Sequence, residues 1–200
     1  MDFPHVVIAR LYEHIEPIDR GARYEDPLES ILEKANAGRV TGGGSQLNEL
    51  GGIEYADIEI ELANLEDAVR VVGEALERAG APRGSELILA ADDRVLREFG
   101  TQQCLAIYLD GISLPDEVYA NLDFDQVVNE IGAAAGPDSY HGFWQGPEET
   151  GLFFFGPDAD DLFARVDPVL RTLPIGQNAR VVIRQGTESS DAREVRMPRH

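Results

Sequence analysis

Apolar and polar positions along the chain repeat in two rhythms, one of about 3.6 residues and one of two, the marks of amphipathic helices and half-buried strands. Four stretches carry the helical rhythm. Leu28, Ile31, Leu32 and Ala35 share one face of a segment that opens at Asp26-Pro27, has Glu29 as the distal half of a capping box, and closes before Gly38. Ala68, Val69, Val72, Leu76 and Ala79 form a second, opened by Asn64 and ended by Gly80 with Pro82 beyond. Phe124, Val127, Val128 and Ile131 follow Asp123 and end at Gly136-Pro137, and Leu162, Phe163, Val166, Leu170 and Leu173 follow Asp158. Pro168 sits inside the last of these and, having no amide donor, is expected to kink or split it.

Strand patterns occupy residues 6–12, 39–47, 53–62, 86–89, 104–109, 140–145, 152–155 and 180–183. With the helices placed between them, the order is β-α-β-β-α-β, written twice. A shift of 94 positions lays Val72 on Val166, Leu76 on Leu170, Leu87-Ile88-Leu89 on Val181-Val182-Ile183 and Ile58 on Leu152. Internal duplication accounts for this most simply. The chain resembles a tandem ferredoxin-like protein, and the resemblance implies an α+β fold in which two helices cover one face of each antiparallel sheet. The copies are expected at 1–90 and 104–186, with 91–103 as a linker and 187–200 as a polar tail. Residues 114–119, ahead of the third helix, read as an irregular insertion in one copy only, and loops added to a scaffold often carry function.

The faces turned away from the helices decide what such a protein touches. In the third strand Ala56, Ile58, Ile60 and Leu62 alternate with Tyr55, Asp57, Glu59 and Glu61, so a row of three carboxylates is expected on the open side. The first strand is expected to add Arg10, Tyr12 and His14 beside it. In the second copy the corresponding positions are Gly151, Phe153 and Phe155, with Trp144 on a neighbouring strand set to pair with Phe153, so that open face is aromatic.

Charge sharpens the picture. The chain has 37 acids against 17 bases in 200 residues, a net charge of -20. Residues 1–90 hold 18 acids and 8 bases and residues 91–186 hold 16 and 6, so each copy carries -10. Such a chain repels phosphate backbones and anionic lipid, which argues against nucleic acid or membrane as a partner and favours a basic protein. No apolar run approaches the ~18 residues needed to span a bilayer, no leader is evident, and the single Cys104 cannot form an internal disulfide, all of which suit a cytoplasmic protein.

Catalytic signatures are absent. Gly42-Gly43-Gly44 sits within a strand pattern and is not followed by the lysine and hydroxyl of a phosphate-binding loop, so a bulge or close backbone approach explains it better. Carboxylates spaced ~7 Å apart along one strand do not converge on an ion, and neither a metal nor a cofactor is expected. Three functional classes remain. The first is a protein that occludes a basic partner, resembling the immunity proteins of bacterial toxin systems in kind and composition, with Arg10, Tyr12, His14, Tyr55, Asp57, Glu59 and Glu61 as the contact surface. The second is a small-molecule-binding regulatory domain. The third is an enzyme of the dimeric α+β barrel type with a cavity between the two sheets, and for these two the expected pocket is Tyr140, His141, Trp144, Phe153 and Phe155. The oligomeric state is left open.

Overall fold

The protein, examined as a computed structural model, is described for residues 3–186 and 192–198, without the side chains of Asp67 and Ala68. It divides into two compact units, the second made up of the chain from Gln103 onward together with Glu49–Gly52. The first unit runs β1 (His5–Leu11), α1 (Pro17–Arg20), a π-helical turn (Gly21–Glu25), α2 (Asp26–Ala35), β2 (Gly38–Leu47), β3 (Ile53–Leu62), α3 (Leu65–Arg78), β4 (Ser85–Leu89) and β5 (Arg94–Phe99). The second runs β6 (Gln103–Asp110), α4 (Asp116–Ala120), α5 (Phe124–Ala135), β7 (Tyr140–Gln145), β8 (Glu149–Gly156), α6 (Ala159–Leu170), a 3₁₀ turn (Pro174–Gly176), β9 (Arg180–Arg184) and β10 (Ala192–Arg196). The sheet orders are β2-β3-β1-β4-β5 and β7-β8-β6-β9-β10, antiparallel throughout. Both units therefore have the ferredoxin-like α+β architecture.

The duplication goes further than the β-α-β-β-α-β pattern. Each unit adds a fifth strand on the outer edge of its fourth, β5 on β4 and β10 on β9. The stretch read as a linker thus carries β5, and the stretch read as a tail carries β10; residues 187–191 and 199–200 of that tail lie outside the described residues. The insertion at 114–119 also has a counterpart. In the first unit the chain is helical without a break from Pro17 to Ala35, whereas in the second α4 and α5 are separated at residues 121–123. Asp26 is consequently no cap, since its backbone is already α-helical at φ -63° and ψ -45°. Pro27 leaves the carbonyl four residues upstream without its donor, and the π turn immediately before it absorbs the mismatch.

Other signals act as read. Asp123 and Asp158 cap α5 and α6, accepting hydrogen bonds from the amides of Gln126 and Asp161, each worth about 1 kcal/mol. α6 runs through Pro168 to Leu170 without splitting, because the proline falls in its last turn, where little helix remains to disrupt. Val7, Ala9, Leu11, Ile58, Ile60 and Leu62 meet Leu28, Leu32, Val72 and Leu76 in the first core. Leu105, Ile107, Leu152 and Phe154 meet Val127, Ile131, Leu162 and Val166 in the second.

Of the three consecutive glycines in β2, Gly43 serves packing. Thr41 is the extra residue of a bulge, since Val40 pairs with Ile60 and Gly42 with Glu59. At Gly43 a Cβ would lie 2.7 Å from both the Arg20 guanidinium and the Asp57 carbonyl oxygen, so the strand and the arginine approach too closely for any side chain. Arg20, buried in the first unit, donates from Nη1 to the Gly44 carbonyl at 2.8 Å and from Nε to Glu25 at 2.5 Å. Glu29 accepts from the Val40 amide at 2.5 Å. These contacts occupy backbone groups along an otherwise exposed edge, one of the ways proteins keep edge strands from pairing with foreign chains.

Candidate functional site

The open face of the first sheet holds the residues expected there, but not in the state expected. Arg10 clamps Asp57 with two hydrogen bonds of 2.9 Å, and its guanidinium lies 4.0 Å from the centre of the Tyr55 ring. The Asp57 hydrogen bonds chiefly raise the guanidinium's already high pKa, overcoming the opposing effect of burial. Arg39 pairs with Glu61 at 2.6 Å, and Glu59 accepts the Thr41 hydroxyl at 2.8 Å. Tyr12 packs edge-on to Tyr55 and donates to Glu86 at 3.2 Å; burial first, and Glu86 second, raise its phenol pKa. The acidic row is thus already engaged by the protein's own donors. His14 is not on this face. It lies beyond the end of β1, where the alternation no longer holds, and is buried with Nδ1 accepting from the Ile53 amide at 3.1 Å.

On the open face of the second sheet, Cys104, Ala106, Phe153, Phe155 and Val182 form a separate apolar cluster, with Tyr108 and Trp144 packed against it. His141 stacks on Phe155 at 4.6 Å between centroids. Trp144 shares this face but pairs with Gly151, while Phe153 pairs with Gly142. Tyr140 departs from the expectation: a bulge at His141 changes the parity of β7, and the Tyr140 ring packs in the helix-side core against Phe154 at 5.4 Å. Arg180 repeats the first unit's motif on different strands, clamping Glu149 at 2.6 and 3.1 Å and lying 3.9 Å over the Tyr108 ring. Burial raises the Tyr108 phenol pKa, and Arg184 works against it.

A third feature was not legible as a motif. Between α4, α5 and the 3₁₀ turn lies a cleft of about 320 Å³. Val118, Leu122, Val127, Leu173, Pro174 and Ile175 give it apolar walls. Glu117, Asp123 and Glu130 add three carboxylates, Asn121 and Gln126 add amides, and no base lines it. Among the described residues none of these carboxylates forms an ion pair. Asp123 is committed to capping α5, and Glu130 accepts the Gln126 amide at 2.7 Å. No three His, Cys, Asp or Glu among the described residues are gathered so as to hold a metal ion.

Asp110 lies outside the lining of this cleft, at the end of β6 where the loop that leads into α4 begins. Its carboxylate accepts from the Ile112 amide at 3.0 Å and the Ser113 amide at 2.8 Å, and also from the Ser113 hydroxyl and the Asn178 side-chain amide. One carboxylate therefore ties the loop leading into α4 to the turn after the 3₁₀ segment. Burial works to raise the Asp110 pKa, but these four hydrogen bonds outweigh it and hold the carboxyl well below the usual range. Tyr119 closes the loop from the other side, its hydroxyl accepting a hydrogen bond from the Leu114 amide at 3.0 Å.

Comparison with known proteins finds no matching family model and no matching curated relative. Solved structures that are similar include a protein provisionally named a monooxygenase from Fusobacterium nucleatum, 12% identical over 100% of both chains with a TM-score of 0.31. Another, provisionally named a monooxygenase from Lactobacillus acidophilus, is 13% identical over 82% of both chains with a TM-score of 0.27. The first two RRM domains of yeast poly(U) binding protein are 13% identical over 90% of this chain and 98% of that one, with a TM-score of 0.24. These likenesses are of fold. The expectation of an immunity-type module that occludes a basic protein is corrected. The carboxylates expected to meet a basic partner are already held by the protein's own Arg10, Arg39 and Thr41. Among the described residues no helix is long and apolar enough to cross a membrane.

Proposed function

We propose that the chain is a small-molecule-binding protein whose ligand lodges in the cleft of the second unit. One observation supports this: a concavity of about 320 Å³ with aliphatic walls and, at its polar positions, three carboxylates and two amides. Ligand sites in proteins have this make-up, with volumes of roughly 300–1,000 Å³ and a small number of polar groups that fix orientation. Beside it, Asp110 ties the loop that leads into α4 to the turn after the 3₁₀ segment through hydrogen bonds from residues 112, 113 and 178.

The test is a calorimetric titration of the full chain with 2-phenylethanol, an uncharged ring of a size the cleft admits. Single-site saturable binding is expected, and it is lost in Leu122→Trp, which places an indole in the cleft at a position already 36% exposed. Absence of saturable binding by this probe and by its cationic and anionic analogues, or survival of binding in Leu122→Trp, overturns the reading.

A further inference from the structure

The duplication allows the cleft to be compared with its own counterpart. Moving 99 positions along the chain carries Leu28 to Val127 and Leu32 to Ile131, the matching core positions of α2 and α5, and carries Tyr24 to Asp123. Moving 94 positions carries Val72 to Val166, Leu76 to Leu170, and Gly80 to Pro174. In the first unit Tyr24 is fully buried in the π turn, with its hydroxyl donating to Glu13 at 2.7 Å and lying 3.4 Å from the Gly80 carbonyl. Its ring bridges residues 24 and 80. In the second unit the equivalent residues, Asp123 and Pro174, both line the cleft. By this register, the place that one copy fills with a phenol corresponds in the other to Asp123 and Pro174, where the helix is broken and the cleft lies.

We propose that the cleft takes a small aromatic amine, its ring seated among Val118, Val127 and Ile175 and its ammonium among Glu117, Asp123 and Glu130. This rests on the small-molecule reading above and names the class of ligand. The first unit shows what shape the place accepts: a ring whose polar end donates to a carboxylate. The second unit supplies three carboxylates without a base, in a chain of net charge -20, so a cationic donor fits and an anion does not. A metal ion is a poorer fit, since the carboxylates are not gathered as a coordination set.

The experiment titrates the full chain with 2-phenylethylamine, 2-phenylethanol and 3-phenylpropionate at low salt. The amine is expected to bind roughly tenfold more tightly than the alcohol, the sum of several weak surface-type attractions, and the carboxylate not measurably. The advantage of the amine shrinks as salt approaches ~1 M, where the Debye length falls to ~3 Å. The double variant Glu117→Gln/Glu130→Gln lowers amine affinity towards that of the alcohol and leaves the alcohol unchanged. Equal affinities for amine and alcohol overturn the amine proposal and leave the cleft reading standing, and so does preference for the carboxylate. Failure of all three probes overturns both.

Discussion

Replacing each of three consecutive glycines by alanine separates a packing role from every other. At Gly43 a Cβ would stand 2.7 Å from Arg20 Nη2 and 2.7 Å from the Asp57 carbonyl oxygen. The carbonyl belongs to the central β3 ladder and has nowhere to go. The guanidinium can move only by giving up its bonds to Gly44, Ser45 and Glu25 in a site where Arg20 is 7% exposed. Overpacking costs about 1–3 kcal/mol. A disturbed charged hydrogen bond costs about 1.5–3 kcal/mol. Against these, alanine stabilises through the unfolded chain by about 0.4–1 kcal/mol. The net expectation for Gly43→Ala is a loss of about 1.5–5.5 kcal/mol by this sum of terms. Gly42 and Gly44 have nothing within 4 Å of a built Cβ and no positive φ, so only the favourable term applies to them. Urea unfolding of the three variants, compared at a common m-value, measures the differences. Equal midpoints for all three would refute the close approach between Arg20 and β2.

Four further outcomes follow from the same geometry. Tyr24→Phe removes a donor from the buried Glu13 and is expected to cost about 1.5–3 kcal/mol in urea unfolding, with a loss below about 0.5 kcal/mol counting against that bond. Burial, ahead of the neighbouring Glu13, raises the Tyr24 phenol well above 10, so its share of stability is complete below about pH 10 and is lost as pH rises through the folded value; one tyrosine should ionise only on alkaline unfolding in a spectrophotometric titration. The Asp110 carboxyl is lowered, so its contribution is full above its unfolded pKa of about 3.9 and is lost as pH falls through the lower folded value; Asp110→Asn should make the acid limb of stability shallower than wild type, and an unchanged limb would contradict the four-bond brace. For Arg10 and Asp57, half-exposed but bidentate, a double-mutant cycle should give a coupling of about 1 kcal/mol, and a value near zero would show that the pair does not hold the open face together.

The sequence carried the fold further than the site. Strict alternation from Tyr55 to Leu62 could belong only to a strand with one dry face, and the Asp123 and Asp158 caps marked their helices to the residue. β5 and β10 left no such trace. Residues such as Arg94, Glu98, Arg193 and Glu194 lie on exposed edge strands, whose pairing comes from the ladder to β4 and β9 and not from an apolar stripe. Parity explains two misplaced side chains. The alternation of β1 stops at Leu11, so extending it to His14 assigned the wrong side, and the bulge at His141 turned Tyr140 into the core. Pro27 announced a helix start that the π turn overrode. The acidic row was correctly placed, but its neutralisation was not legible, because Arg39 comes from another strand whose register depends on the Thr41 bulge. The cleft had no motif because it is made by atoms that are missing, and only the run at 114–119 hinted at it.

The central claim is that the second unit binds a small ring-bearing molecule between α4, α5 and the 3₁₀ turn. Methyl-resolved NMR of the full chain during titration with 2-phenylethylamine tests it most directly. The account predicts saturable shifts at Val118, Leu122, Val127 and Ile175, with Ala106 and Val182 on the open sheet face unmoved. Shifts confined to Ala106 and Val182, or none at the cleft at ligand concentrations that saturate the calorimetric signal, would contradict it.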